Sequence, residues 1–260
     1  MRAEQITRQY YDAEAFRYDR THGAGQYGAQ YGIRTYYRPF WRKYIRKSDG
    51  ILEIGCGTGV FTSELRKLCR SITAVELSPK MAAEARRRNV GVDIRIGSAH
   101  RLPFPAQRFD AVACINSFSY IVDQQQALRE IARVLKPNGV LLIIDMNFRC
   151  PAYWIMYLTR HRRLKHFFHR LIQSNPEQLQ ALLQGNGFRV LHCAGGNFVP
   201  HGVGTLRARS FFIPLDRALG SHSFTQKFGM RIFCASQRPH TAQKSAQSNV
   251  YSFKYPPKGQ

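Results

Sequence analysis

Between Ile51 and Leu65 the chain reads ILEIGCGTGVFTSEL. A short apolar run leads into three glycines at alternate positions, Gly55, Gly57 and Gly59, and helical periodicity begins at once. Glycine is required where a Cβ would block close approach or forbid the dihedral angles of a tight loop. A strand that ends in such a loop and opens a helix turns backbone N–H groups and the positive end of the helix dipole toward a ligand. The stretch therefore demands a buried strand, a helix packed behind it, and something bound at their junction.

The rest of the chain extends that unit. SITAVEL, VDIRIGS, FDAVACI, VLLIIDM, RVLHCA and FGMRIFCAS are short runs that read as further strands. Those up to residue 146 are apolar throughout rather than alternating, as strands buried on both faces are. Helical segments separate them. Ser78 caps SPKMAAEARRR and Pro79 takes its first turn. Leu128, Ile131 and Leu135 share one face of QQQALREIARVLKP. The alternation predicts an α/β fold: a doubly wound, mostly parallel seven-stranded sheet with helices on both faces, Rossmann-like in plan. Ligands of such sheets sit at the carboxyl ends of the strands, near the point where strand order reverses.

Further helices are expected near residues 2–18, 33–47 and 59–70, from Pro176 to Gly185 or Gly187, and over RSFFIPLDRALG with a break at Pro214. The organisation expected is an N-terminal helical cap over 1–48, a ligand-binding domain over 49–236 and a disordered polar tail over 237–260. The chain has 260 residues, 44% of them hydrophobic, enough for one sizeable core. No apolar run approaches the length that spans a bilayer, and the N-terminus lacks the apolar core of a signal peptide. The six cysteines are scattered, with no CxxC pair and no metal-ligand spacing, so reduced core thiols and no metal are expected. A cytoplasmic location is expected, peripheral at the inner membrane surface if the basic charge meets acidic lipid.

Glu76 ends the second strand, where a carboxylate can accept hydrogen bonds from a ribose diol. By itself that suits a nicotinamide dinucleotide as well as any other nucleoside cofactor. Two details differ from the dinucleotide fingerprint: Val60 stands where its third glycine falls, and Glu53 lies two residues before the first. The pattern E-x-G-x-G-x-G resembles the first motif of class I S-adenosylmethionine-dependent methyltransferases. AVELSPKMAAEA, GSAHRLPFPAQRFDAV and LREIARVLKPNGVLLIID resemble the next three family blocks, in order and at family spacing over about residues 50–146. The subgroup resembled includes the ubiquinone and menaquinone biosynthesis methyltransferases.

The resemblance implies S-adenosyl-L-methionine as cofactor and assigns roles. Gly55, Cys56, Gly57 and Gly59 form the loop under its methionine part, with Glu53 supporting that loop. Glu76 holds the ribose, Leu77 and Met81 flank the adenine, and Ser98 and Ala99 lie at the adenine edge. Asn116 lines the methionine end, and Tyr18 closes over the cofactor. One departure stands out. The family usually carries Asp where this chain has Ser98, and a serine gives a weaker, neutral hydrogen bond.

Methyl transfer from a sulfonium is an in-line displacement in which the protein mainly positions donor and acceptor and excludes water. His22, His100, His201 and Tyr120 are candidates for a base; no motif selects one, and no catalytic residue is assigned. CINSFSY after the fourth strand is not the Asn/Asp-Pro-Pro-aromatic motif of exocyclic base methylation, and no Pro-Cys or Thr-Cys pair suits cytosine C5. The acceptor expected is a small or lipid-like molecule. The formal net charge is +23, and after Asp145 only Glu177 and Asp216 are acidic. Within Arg149–Ile172, Tyr153, Trp154, Tyr157, Phe167 and Phe168 intersperse with arginines and lysines and no acids. That composition suits a lid or insertion resting on an anionic membrane surface. It also keeps RNA open as the other polyanion. An inactive binding protein on the same scaffold is the third alternative.

Overall fold

The computed structural model describes residues 2–22, 27–151, 153, 175–199, 206–220 and 222–239. Seven strands form one sheet: β1 (Gly50–Ile54), β2 (Ser71–Glu76), β3 (Asp93–Ile96), β4 (Phe109–Ile115), β5 (Leu135–Met146), β6 (Arg189–Gly196) and β7 (Arg231–Gln237). Their order is β3-β2-β1-β4-β5-β7-β6. β1 to β5 run parallel, and β7 is antiparallel to both of its neighbours. The expected doubly wound, mostly parallel sheet is the fold observed. Chain order runs outward from β1 to β3 and then returns to β4 on the other side of β1, which opens a crevice between β1 and β4.

Successive residues of the central strands feed opposite faces. Val112 and Cys114 of β4, with Leu141 and Ile143 of β5, pack with Leu128 and Ile131 of α6 (Gln124–Val134) on one side. Ala111, Ala113, Ile115, Leu142 and Ile144 pack with Tyr36, Tyr37, Phe40 and Trp41 on the other. Those aromatics belong to a nearly continuous helical stretch: α2 (Tyr27–Gly32), a π-turn over Ile33–Tyr37, and α3 (Arg38–Tyr44). Phe40 and Tyr36 meet Phe233 of β7 at centroid distances of 5.5 and 5.8 Å. Each such buried side chain contributes about 1.5–3 kcal/mol, so this stretch is a structural part of the sheet's second face.

Several helix limits differ from expectation. α4 is only Val60–Leu65. After it the Leu68 N–H bonds back to Leu65 and the Arg70 N–H goes to Asp49, which turns the chain into β2. α6 stops at Val134 because Pro137 biases the residue before it to extended geometry, and Leu135 onward joins β5. α7 (Pro176–Gly185) is capped by Asn175, whose Oδ1 accepts from the Gln178 N–H. α8 (Leu206–Gly220) runs through Pro214 without the expected break. A proline costs a helix one hydrogen bond and tends to kink it rather than always ending it. Asp216 of α8 anchors the helix: it accepts from the Tyr31 and Tyr36 hydroxyls at 2.7 and 2.8 Å and from the Phe198 N–H at 2.7 Å. Most of the basic aromatic segment 149–172, and the tail beyond residue 239, lie outside the described residues.

Candidate functional site

The three glycines have φ of +72°, +56° and +79°, all in the left-handed region. Their alternate spacing thus follows from the loop's conformation, and each has a different spatial reason as well. A Cβ on Gly55 would lie 2.6 Å from the Ser117 Cβ, on the far side of the crevice. A Cβ on Gly59 would lie 2.3 Å from Asn89 Nδ2 and 3.0 Å from the Ala85 Cα. Gly59 therefore lets α4 approach α5 (Pro79–Arg88). A Cβ on Gly57 would meet nothing within 4 Å, and Gly57 lines a cleft at the crevice.

Gly55, Gly57, Glu76, Leu77, Met81, Ala99, Asn116 and Tyr18 all line that one cleft. Four other residues singled out from sequence sit behind or beside it. Glu53 is 1% exposed beneath the loop, where it accepts from the Thr62 hydroxyl at 2.6 Å. Cys56 is buried in the loop. Gly59 packs on α5, and Ser98 is turned to the carboxylate of Glu4.

The carboxylates dominate the electrostatics. Glu76 accepts from the Gly57 N–H at 2.8 Å and the Ser78 N–H at 2.9 Å. Burial raises its pKa, while those two bonds hold it down in part. Burial pushes Glu53 up to about 7, with the Thr62 bond opposing and the Glu76 charge adding. Glu4 and Glu76 line the cleft, and among its described lining residues the one permanent cation is Arg8, which is exposed. An acid-lined cleft in a chain of charge +23 suits a ligand with cationic groups. It suits a pyrophosphate poorly, because the Gly57 N–H that would meet an anion is already given to Glu76.

Asn116 follows β4 with φ +52°. Its N–H goes to Ile144 at 2.6 Å. Its side-chain Oδ1 is buried and has no hydrogen-bond partner among the described residues. A buried acceptor on a cleft wall without a donor asks for one from a ligand.

The cleft is roofed by α1 (Arg2–His22), which contributes Glu4, Thr7, Arg8, Tyr11 and Tyr18. Of these, the sequence motifs single out only Tyr18. Three acids hold the helix down. Glu4 Oε1 accepts from the Ser98 hydroxyl and lies 3.4 Å from His100 Nδ1. Asp12 accepts from the Ser78 hydroxyl at 2.6 Å, and Asp19 from the Thr58 hydroxyl at 2.6 Å and from Arg88. Positions 4, 12 and 19 fall on one helical face, a periodicity present in the sequence.

Tyr11, Tyr18 and Tyr120 cluster at the cleft. Tyr11 stands edge-on to the other two, at 6.2 Å from Tyr18 and 5.8 Å from Tyr120. Burial raises all three phenol pKa values, that of Tyr18 to about 12. They are hydrogen-bond donors at neutral pH, and Tyr120 is no ready base. His100 has both nitrogens engaged: Nε2 accepts from the Asp123 N–H at 3.1 Å and Nδ1 faces Glu4. The side chain of His22, and all of His201, lie outside the described residues.

A family model described as a methyltransferase domain matches residues 52–143. A demethylmenaquinone methyltransferase of Mycolicibacterium paratuberculosis is 34% identical over 64% of this chain and 71% of its own length. A ubiquinone biosynthesis O-methyltransferase of Xanthomonas axonopodis pv. citri is 29% identical over 58% of this chain and 66% of its own. The chain spans between 44% and 73% of the length of the curated relatives it matches. A solved S-adenosylmethionine-dependent methyltransferase from Aquifex aeolicus superposes with a TM-score of 0.56, at 13% identity, over 80% of this chain and 93% of that one.

Proposed function

This chain belongs to the family of S-adenosylmethionine-dependent methyltransferases, and from that premise we propose that it methylates a small, quinone-like or lipid-like acceptor by in-line displacement. The observation that carries the cofactor half is the cleft itself. It has an open left-handed Gly57, a buried Asn116 Oδ1 without a donor and an acid-lined wall. These residues fit S-adenosyl-L-methionine, which brings a sulfonium, an ammonium group and a ribose diol. When bound, the cofactor supplies a methyl carbon already activated by its positive sulfur.

The chain's own residues then have plain tasks. Glu76 takes the ribose hydroxyls, and Asn116 Oδ1 takes an N–H at the amino-acid end. Leu77, Met81 and Ala99 sandwich the base. Tyr11, Tyr18 and Tyr120 exclude water over the reacting centre. Among the described residues no histidine with a free nitrogen lines the cleft, so an acceptor that can give its proton to solvent, such as a hydroxyl of a quinol, fits best. The names of the relatives support the same class. In this reading the basic aromatic segment 149–172 brings the chain to an anionic membrane surface where such acceptors reside.

Calorimetric titration tests the cofactor half. The chain should bind S-adenosyl-L-methionine and not NAD, and Glu76→Ala should weaken binding by about tenfold or more. Transfer of labelled methyl to a quinol or lipid extract, but not to RNA, then tests the acceptor. Transfer to RNA with a steep salt dependence would replace the acceptor class. Binding of NAD in place of S-adenosyl-L-methionine would overturn the proposal.

A further inference from the structure

We propose that Glu4, on the roof helix α1, is the residue that reads the amino edge of the cofactor's base, so that base recognition and closure of the roof are one event. The inference rests on the cofactor reading. Its starting point is Ser98, whose short neutral side chain cannot offer a charged acceptor. The Ser98 hydroxyl instead donates to Glu4 Oε1 and itself accepts from the His100 N–H at 3.1 Å. His100 Nε2 accepts from the Asp123 N–H, which leaves the imidazole proton on Nδ1, 3.4 Å from the same Glu4 oxygen. Two donors thus converge on Oε1 and fix the carboxylate. Among the described residues none donates to Oε2.

The surroundings say what the remaining oxygen is for. Glu4 lines the cleft together with Leu77, Met81, Gly97 and Ala99, an apolar set that suits a flat ring. Glu76 accepts one backbone N–H on each oxygen and keeps its remaining lone pairs for the ribose. Glu4 is the other carboxylate lining the cleft, and its Oε2 is the acceptor beside that slot. A charge-assisted bond to an exocyclic amino group separates adenine from a purine carrying a carbonyl there, which would leave the carboxylate facing another acceptor.

The position of Glu4 makes recognition conditional. Its neighbours on the same helical face, Asp12 and Asp19, hold α1 against Ser78 at the start of α5 and against Thr58 in the glycine loop. Glu4 reaches the slot only while those contacts hold. A ligand with the amino group therefore favours the closed roof, and one without it does not.

The test uses the full chain and two ligands: S-adenosyl-L-methionine and its 6-oxo analogue, in which a carbonyl replaces the base amino group. The unaltered chain should bind the amino form about tenfold tighter. Glu4→Ala should lower affinity for the amino form by about that factor and leave the 6-oxo form nearly unchanged, removing the preference. Ser98→Asp placed on Glu4→Ala should restore it. Asp12→Asn, which loosens the roof without touching the base, should weaken the amino form and leave the 6-oxo form nearly unchanged, narrowing the preference. A Glu4→Ala chain that keeps the preference overturns this assignment while leaving the cofactor reading intact. Binding of neither ligand by the unaltered chain overturns both.

Discussion

The floor of the cleft and its roof are held in place by different kinds of contact. The floor, from β1 through Gly59 with Glu76, is fixed by backbone: three left-handed glycines, N–H bonds from Gly57 and Ser78, and a Gly59 that allows two helices to touch. The roof, α1, is fixed by side chains: three acids that each pair with a hydroxyl, with arginine or histidine close to each of them. Backbone geometry at a closed loop is nearly all-or-none. Partly exposed side-chain pairs are graded and answer to salt and pH. A site made of both can keep its shape while its entrance opens.

The contrast can be broken most sharply at Gly59. Gly59→Ala forces a left-handed alanine, worth about 1–3 kcal/mol, and drives its Cβ into Asn89 and Ala85. Gly57→Ala carries the backbone penalty alone, about 1–2 kcal/mol, because nothing lies within 4 Å of its Cβ. Urea unfolding of both should show Gly59→Ala clearly the less stable. Equal losses would mean that packing of α4 on α5 does not set the floor.

Glu53 gives the next largest effect. Its folded pKa, about 7, lies above the ordinary 4.5. The folded state therefore holds more protons than the unfolded state between those values, and stability falls as pH rises through that window. Glu53→Gln should stabilise the chain by on the order of 3 kcal/mol at pH 8, with the gain vanishing below pH of about 4.5. Melting curves across pH check the sign; a gain that grew on acidification would contradict the buried-carboxylate account.

The smallest effect belongs to the roof. Asp19→Asn removes one partly exposed pair and should cost less than about 1 kcal/mol of global stability. Hydrogen exchange in α1 should quicken severalfold while exchange in β1 and β4 stays unchanged. Raising salt from about 0.05 to 0.5 M should do the same to the unaltered chain. Uniform protection across α1 and β1 under both changes would mean that the roof is part of the rigid floor.

The same contrast marks what is legible in the sequence. The floor is readable because it is local. Gly55, Gly57 and Gly59 carry their own conformational requirement, and Glu76 lies at the end of the adjacent strand. The apolar runs around them allow little except a parallel sheet. The roof reads only as a helix near residues 2–18 and one tyrosine. Glu4, Asp12 and Asp19 look like ordinary solvated acids until the fold brings Ser98, Ser78 and Thr58 beneath them. Pro214 misleads in the other direction, since a local rule for helix breaking gives way to α8's anchoring through Asp216. FGMRIFCAS announces a strand but not its neighbours. Asn147, which donates to the carbonyls of Lys227 and Gly229 at 2.8 Å each, helps position it from 80 residues away.

That strand, β7, has a consequence for how the molecule is made. It lies inside the sheet, between β5 and β6, rather than at an edge. Until residues 231–237 arrive, β5 shows an open row of backbone donors and acceptors flanked by Leu141, Leu142, Ile143 and Ile144. A chain emerging from a ribosome therefore exposes a sticky, unfinished sheet for about ninety residues of synthesis after β5 is complete, the interval in which wrong pairing with another chain is most favoured. The cofactor-binding half can form first, but the sheet is complete only when one of its last described segments slots into its middle.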